Sequence, residues 1–362
     1  LAAVHRGSGV DWRRAGCEEI WCLDIDDLPV HREMGLIEAA QWGERFTEAG
    51  ESWPALCAWV ASGDYIAEGD TDLPVLGEFE DRFWSSQDGL RLHYRDYPGP
   101  AGGTRPPVLC LPGLTRNARD FETLAARLAP EWRVLCPDLR GRGDSAYAKD
   151  SATYQPLQYV ADIEALLAET GIARCIVIGT SLGGILTMLL AAGGAERIAG
   201  AVLNDIGPEL DPVGLERILD YVGQGRSFPT WMHAARALQD SHAGAFPRFG
   251  ISEWLAMAKR VMTLGQNGRI VFDYDMKIAE PFAAVASGEA PDLWPAYQAL
   301  AGRPLLILRG ALSDLFPAAT LDEMVRRIPG AQAVTLPDVG HAPTLDEPEA
   351  VAAIAQLLER VG

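Results

Sequence analysis

The sequence predicts an α/β fold, a mostly parallel eight-stranded sheet with helices on both faces and an inserted helical segment. Three observations predict it. Short apolar runs alternate with longer helical-patterned stretches from residue 81 onward, the rhythm of strand–helix–strand units. Runs such as 107–111 (Pro-Val-Leu-Cys-Leu) and 175–178 (Cys-Ile-Val-Ile) are almost wholly apolar, which suits strands covered on both faces. The rhythm then stops after Gly207 and resumes near Leu300, so the intervening stretch reads as a separate helical layer.

Taken in order, strands are expected over 81–85 and 91–97, and the Gln87-Asp88-Gly89 turn between them makes the pair an antiparallel hairpin. A strand over 107–111, a helix over 118–128, a strand over 133–136 and a helix over 155–170 follow. The strand over 175–178 leads into a helix over 182–192, and 201–204 is a further apolar strand. Helices are expected over 212–222, 231–240 and 252–263, then strands over 304–310 and 332–336, and an amphipathic helix over 348–361. The domain reading is therefore a core from 79–207 and 301–362, with a helical cap over 208–300.

Residues 1–78 do not fit this scheme. They hold five of the ten tryptophans and three of the six cysteines, and residues 1–80 carry 17 acidic against 5 basic side chains. Helical spacing is present at 34–49 and 52–62, and 69–72 (Gly-Asp-Thr-Asp) reads as a linker. The segment is expected to be an acidic N-terminal extension, either a small packed or interacting module or poorly ordered chain.

A chain of 362 residues that is 48% hydrophobic can bury a large core. No apolar run reaches the length needed to span a bilayer, and 1–10 lacks a secretory h-region. The cysteines at 17, 22, 57, 110, 136 and 175 make no metal-spaced pair and read as reduced thiols, so a cytoplasmic location is expected. The net charge of −19 disfavours nucleic acid and acidic membranes as partners and favours a neutral or cationic substrate. Glycine-rich phosphate loops, zinc sets and dinucleotide fingerprints are absent from the sequence, so no cofactor and no metal are expected.

The chemistry is concentrated at Gly179-Thr180-Ser181-Leu182-Gly183. This G-x-S-x-G lies between an apolar strand and a helix, where a sharp turn pushes the serine hydroxyl out of the sheet and small neighbours let adjacent chain approach. Ser181 is the candidate nucleophile. A serine needs a base, and among the six histidines only His341 follows a late strand and precedes the last helix. Two aspartates at strand ends qualify as the acid that orients the base, Asp314 and Asp205. Asp314 is preferred because its loop follows the penultimate strand; Asp205 otherwise reads as a turn residue before Gly207-Pro208.

Backbone amides are needed to hold an oxyanion, and Leu182, directly after the serine, supplies one. Leu114, in the Pro112-Gly113-Leu114 turn, supplies the second, because Gly113 has no Cβ to obstruct a substrate carbonyl. Asn117 is a helix cap or a further polar contact. Apolar and aromatic residues of 208–300 are enough to line an apolar acyl or aromatic pocket, most of them reading otherwise as core of the cap, with Trp231 and Phe282 singled out by their adjacent prolines.

With these residues, 79–362 resembles the α/β-hydrolase superfamily, especially its compact esterases, enol-lactonases and ring-cleavage-product hydrolases. The run Pro137-Asp138-Leu139-Arg140-Gly141-Arg142-Gly143-Asp144-Ser145 resembles that superfamily's loop after the fourth strand, in which Asp138, Arg140 and Arg142 are expected to make local ion pairs. Leu111 stands where many relatives carry histidine, so rigidity of the oxyanion loop must come from elsewhere. The resemblance implies a cofactor-independent serine hydrolase that cleaves small to medium carboxylic esters through an acyl-enzyme, a carboxylesterase. Its alternatives are a vinylogous-diketone carbon–carbon hydrolase, an enol-lactonase, an acyltransferase, or a ligand receptor or scaffold on the same fold. The expected partner is a small-molecule acyl substrate, with a homo-oligomer possible.

Overall fold

The computed structural model describes residues 78–286 and 291–361. The expectations for the acidic extension therefore lie outside the described residues, apart from its last residue, Glu78.

Eight strands form one sheet, in the order β1-β2-β4-β3-β5-β6-β10-β11. β1 (Glu80–Ser85) and β2 (Arg91–Tyr97) are the antiparallel hairpin the Gln-Asp-Gly turn demanded, with Gly89 at φ 79° in the left-handed region that glycine tolerates. β2 runs antiparallel to β4 (Val134–Pro137). β3 (Val108–Leu111), β5 (Cys175–Thr180), β6 (Ile198–Asn204), β10 (Leu305–Gly310) and β11 (Gln332–Leu336) are parallel. β3 to β6 are buried along almost their whole length, as their continuous apolar sequences require.

Helices cover both faces. α1 (Glu122–Leu128) is preceded by a 3₁₀ turn, Ala118–Phe121, so the single helix expected over 118–128 has a tightened first turn. Asn117 caps that turn by accepting from Arg119 N at 3.0 Å. α2 (Pro156–Glu169) starts at a proline that fits the first helical position. α3 (Leu182–Gly194) is apolar on nearly every face and is packed between the sheet and its neighbours; each fully buried leucine, such as Leu186, contributes about 2 kcal/mol. α9 (Ala318–Arg327) and α10 (Pro348–Val361) complete the layers.

Between β6 and β10 lie α4 (Pro212–Tyr221), α5 (Trp231–His242), α6 (Ile251–Val261), α7 (Ala279–Ala286) and α8 (Trp294–Gln298). Asp211 and Thr230 cap the first two through their side chains. This segment is not purely helical, which corrects the sequence reading. β7 (Ser227–Phe228), β8 (Met262–Leu264) and β9 (Ile270–Phe272) form a small antiparallel sheet in the order β7-β9-β8. Strands of two and three residues are too short to display an alternation, and β8 follows α6 without a break.

The parallel registers align strand ends along one edge: Leu111 pairs with Gly179, Thr180 with Asn204, and Asn204 with Leu308. The loops leaving these ends converge there, the usual location of ligands on open α/β sheets. Among the described residues no helix is long and apolar enough to cross a membrane.

Candidate active site

Ser181 occupies the turn between β5 and α3 with φ 51° and ψ −116°, a conformation non-glycine residues rarely adopt. The surrounding glycines make it attainable. A Cβ on Gly179 would lie 2.3 Å from Gly183 O, and one on Gly183 would lie 2.0 Å from Leu111 O, so both positions admit only glycine without backbone movement. Ser181 N donates to Asn204 O at 3.0 Å, while its own carbonyl accepts from Gly184 N and Ile185 N and starts α3.

His341 lies in the loop between β11 and α10, and its Nε2 is 2.9 Å from Ser181 Oγ. Its Nδ1 is 2.8 Å from Asp205 Oδ2. The preference for Asp314 is thus corrected, since the carboxylate that meets the histidine is Asp205, at the end of β6. Asp205 has φ 55°, is fully buried, and accepts from Gly310 N at 2.8 Å through Oδ1 and from Ser313 Oγ at 2.6 Å through Oδ2. Asp314 is instead held by Arg217 of α4, with Nη2–Oδ1 at 2.9 Å and a second bond from Nε. Burial alone would raise the pKa of Asp314, but these bonds and the guanidinium charge outweigh it and hold the carboxyl below its usual range.

Two supports went unread in the sequence. Asn204 Nδ2 donates to Thr180 Oγ1 at 3.0 Å and to Pro343 O at 2.9 Å, so one buried amide ties the Ser181 turn to the His341 loop. Arg142 is buried without a carboxylate partner among the described residues, contrary to the expected ion pair. Its Nε donates to Leu114 O at 2.9 Å, and Nη1 donates to Arg140 O at 2.7 Å and Tyr159 Oη at 2.9 Å. This guanidinium braces the Gly113–Arg116 loop where Leu111 offers no side-chain donor. Arg140 and Asp138 do pair, but with distant partners: Arg140 with Asp88 and Asp162, Asp138 with His93. No signal in a single sequence separates a bracing arginine from its ion-paired neighbour two residues away.

Leu182 is the first residue of α3, so its amide precedes the helix's internal hydrogen bonds and is available to a ligand. Gly113 faces Ser181, since a Cβ there would lie 3.7 Å from Ser181 Cβ and 3.3 Å from Arg116 Cγ.

Ser181 and His341 open onto a cavity of about 150 Å³. Its wall comes from the Gly113–Arg116 loop, from α4, α5 and α6, and from β9 and Tyr274. Neither Trp231 nor Phe282 lines it: Trp231 begins α5 and is partly exposed, and Phe282 packs against the core. Proximity to a proline marks a turn, and a turn does not determine which side chain faces inward. Met257, Phe272 and Tyr274, among the aromatic and methionine residues of the inserted segment, do line the cavity. Burial, aided by Arg217 and Arg116, pushes the His242 pKa down to about 4, so this lining histidine is neutral at physiological pH.

His93, Asp138 and Asp144 lie close enough together to share a metal ion. Their atoms are already engaged: Asp138 Oδ1 accepts from Ala118 N, Oδ2 from Asp144 N and His93 Nδ1, and His93 Nε2 meets Asp81. A metal would have to displace these bonds, so the group fits a structural hydrogen-bond network better than a metal centre.

The comparisons agree with this fold. A model of the alpha/beta hydrolase family matches residues 108–354, and the chain belongs to that family. A 3-hydroxybutyrate-oligomer hydrolase from Cupriavidus necator is 38% identical over 275 residues, covering 74% of this chain and 92% of the relative. A 2-(acetamidomethylene)succinate hydrolase from Mesorhizobium japonicum is 27% identical over 242 residues, covering 66% and 82%. Among solved structures, an alpha/beta hydrolase from Novosphingobium aromaticivorans DSM 12444 superposes with a TM-score of 0.75 at 65% identity, covering 78% of this chain and 99% of that one. These likenesses make the chain a hydrolytic enzyme by family.

Proposed function

We propose that the protein is a serine hydrolase of short-chain carboxylic esters, with Ser181 as nucleophile, His341 as base and Asp205 as the residue that orients the base. The observation that carries this reading is the unbroken hydrogen-bond chain from Asp205 through His341 to Ser181 Oγ at the edge of the sheet. Ser181 Oγ attacks the ester carbonyl carbon as its proton passes to His341 Nε2. The carbonyl oxygen takes up the negative charge and is held by the Leu182 and Leu114 amides. Collapse breaks the bond to the alkoxy group, which leaves with the proton from His341. Water then gives a proton to His341 and attacks the acyl carbon, and Ser181 Oγ leaves and recovers the proton. Asp205, with Nδ1–H donated to it, fixes the tautomer that leaves Nε2 free to accept.

The cavity beside Ser181 has about the volume that admits a benzene ring, which suits a short acyl chain. One four-carbon hydroxy-acid unit has this bulk, and the similarity to a 3-hydroxybutyrate-oligomer hydrolase supports short oligoesters of that class. Hydrolysis of 4-nitrophenyl butyrate and of the linear trimer of 3-hydroxybutyrate, by the protein and by Ser181→Ala, tests the reading. Ser181→Ala is expected to lose at least about 10³-fold in kcat while folding normally. Turnover that survives this substitution would overturn it.

A further inference from the structure

Three guanidinium groups and one carboxylate line the cavity: Arg116, Arg226 and Arg260 against Asp120. Two of the arginines are engaged. Arg116 Nε donates to Asp120 Oδ2 at 2.6 Å, and Arg260 donates to Thr123 Oγ1 and Asp346 Oδ2 and approaches Glu122 at 3.4 Å. Arg226, just before β7, has no carboxylate partner and no side-chain hydrogen bond among the described residues; its guanidinium lies 5.5 Å from the Phe228 ring centroid. Arg116 and Arg260 are balanced by Asp120, Asp346 and Glu122, so among the described residues the uncompensated positive charge on this wall is that of Arg226, although the whole chain is strongly acidic. Long-range charge therefore does not report the ligand this wall fits, and the expectation of a neutral or cationic substrate does not extend to the cavity.

We propose that the cavity selects acyl substrates that carry a free carboxylate away from the scissile ester, and that Arg226 is the residue that pairs with that carboxylate. The reading rests on Ser181 acyl-enzyme chemistry for its catalytic meaning, but the binding preference stands on the charges alone. The planar fork of arginine matches a carboxylate in two bonds, which a neutral ester end cannot offer. Apolar Leu238, Phe246 and Met257 on the same wall take the intervening carbons, so the anionic end is the specific contact. Because Arg226 is exposed, solvent and salt weaken the pair, and its effect is moderate rather than absolute.

Two measurements test this together. The first compares kcat/KM for 4-nitrophenyl butyrate with that for the 4-nitrophenyl monoester of glutaric acid, in the unaltered protein, Arg226→Gln and Arg226→Lys. The ratio of anionic to neutral ester is expected to fall about tenfold in Arg226→Gln, through KM, and to be retained in part in Arg226→Lys, which keeps the charge but loses the two-bond fork. The second measures calorimetric binding of monomethyl and dimethyl glutarate to Ser181→Ala, with and without Arg226→Gln. Monomethyl glutarate is expected to bind more tightly, an advantage that disappears with Arg226 and shrinks in about 0.5 M NaCl. An unchanged ratio, or equal binding of the two glutarates, would overturn the proposal. If both nitrophenyl esters are inert while the monomethyl preference persists, acyl-enzyme chemistry fails and the carboxylate site stands.

Discussion

Asp205 and His341, 136 residues apart, meet at 2.8 Å, and the carboxylate reaches the imidazole from the strand next to the one that carries Ser181. Asp314 lies one residue beyond Ser313, which also donates to Asp205, yet it points to Arg217. Asp205→Asn is therefore expected to lower kcat by about 10⁴-fold, because an amide holds the wrong tautomer of the histidine. Asp314→Asn is expected to change kcat by less than about tenfold. Steady-state ester hydrolysis by the two variants decides the assignment, and the reverse ranking would return the role to Asp314.

The brace on the Gly113–Arg116 loop gives a separate expectation. Arg142→Lys keeps the charge but cannot reach Leu114 O, Arg140 O and Tyr159 Oη with one planar group. Its kcat is expected to fall at least about tenfold with KM altered less than about threefold, the pattern of a contact that matters most in the transition state. A variant with unaltered kcat would show that the loop is held by other means.

Packing at the nucleophile turn limits substitution more than chemistry does. Gly183→Ala drives a methyl into Leu111 O, which is backbone and cannot rotate away. Destabilisation of about 3 kcal/mol or more is expected, read as a lowered urea midpoint at constant slope. Gly102→Ala, where a Cβ would meet nothing within 4 Å but φ is 75°, serves as a control for strain alone and is expected to cost about 1 kcal/mol.

A pH dependence follows from His93, buried between Asp138 and Asp81. Burial opposes its charge, but the bonds to Asp138 and Asp81 and the charges of Asp138 and Asp144 prevail and raise its pKa above the usual 6.5. A histidine whose pKa is raised on folding stabilises the fold fully below its unfolded pKa and loses that contribution as pH climbs through the folded value. The thermal midpoint of the protein is expected to carry a component that declines above about pH 6.5, and His93→Gln is expected to remove that component. Profiles of equal shape for the two proteins between about pH 6 and pH 9 would rule out this role.

Much of this architecture is legible in the residues themselves. Ser181 announces its turn because glycines at 179 and 183 are steric necessities, and the buried strands announce themselves because both faces are covered. Which aspartate meets His341 was not legible. Asp205 and Asp314 both follow apolar strands, and what separates them is Arg217, more than ninety residues before Asp314, together with a left-handed φ at a non-glycine residue. Asn204 and Arg142 escaped for the same reason: their partners are brought near only by the sheet. The cavity wall was misread at Trp231 and Phe282 because the helical pattern of the inserted segment gives faces but not the direction in which each face is turned.

The order in which these contacts are contributed has a consequence for biosynthesis. Ser181 leaves the ribosome 160 residues before His341, and Asp205 precedes its supports Gly310 and Ser313 by more than a hundred residues. Until that last stretch of chain docks, the serine is an ordinary alcohol beside an unsupported carboxylate. On the proposed role of Ser181, truncated or stalled products of synthesis are therefore expected to be inactive towards esters.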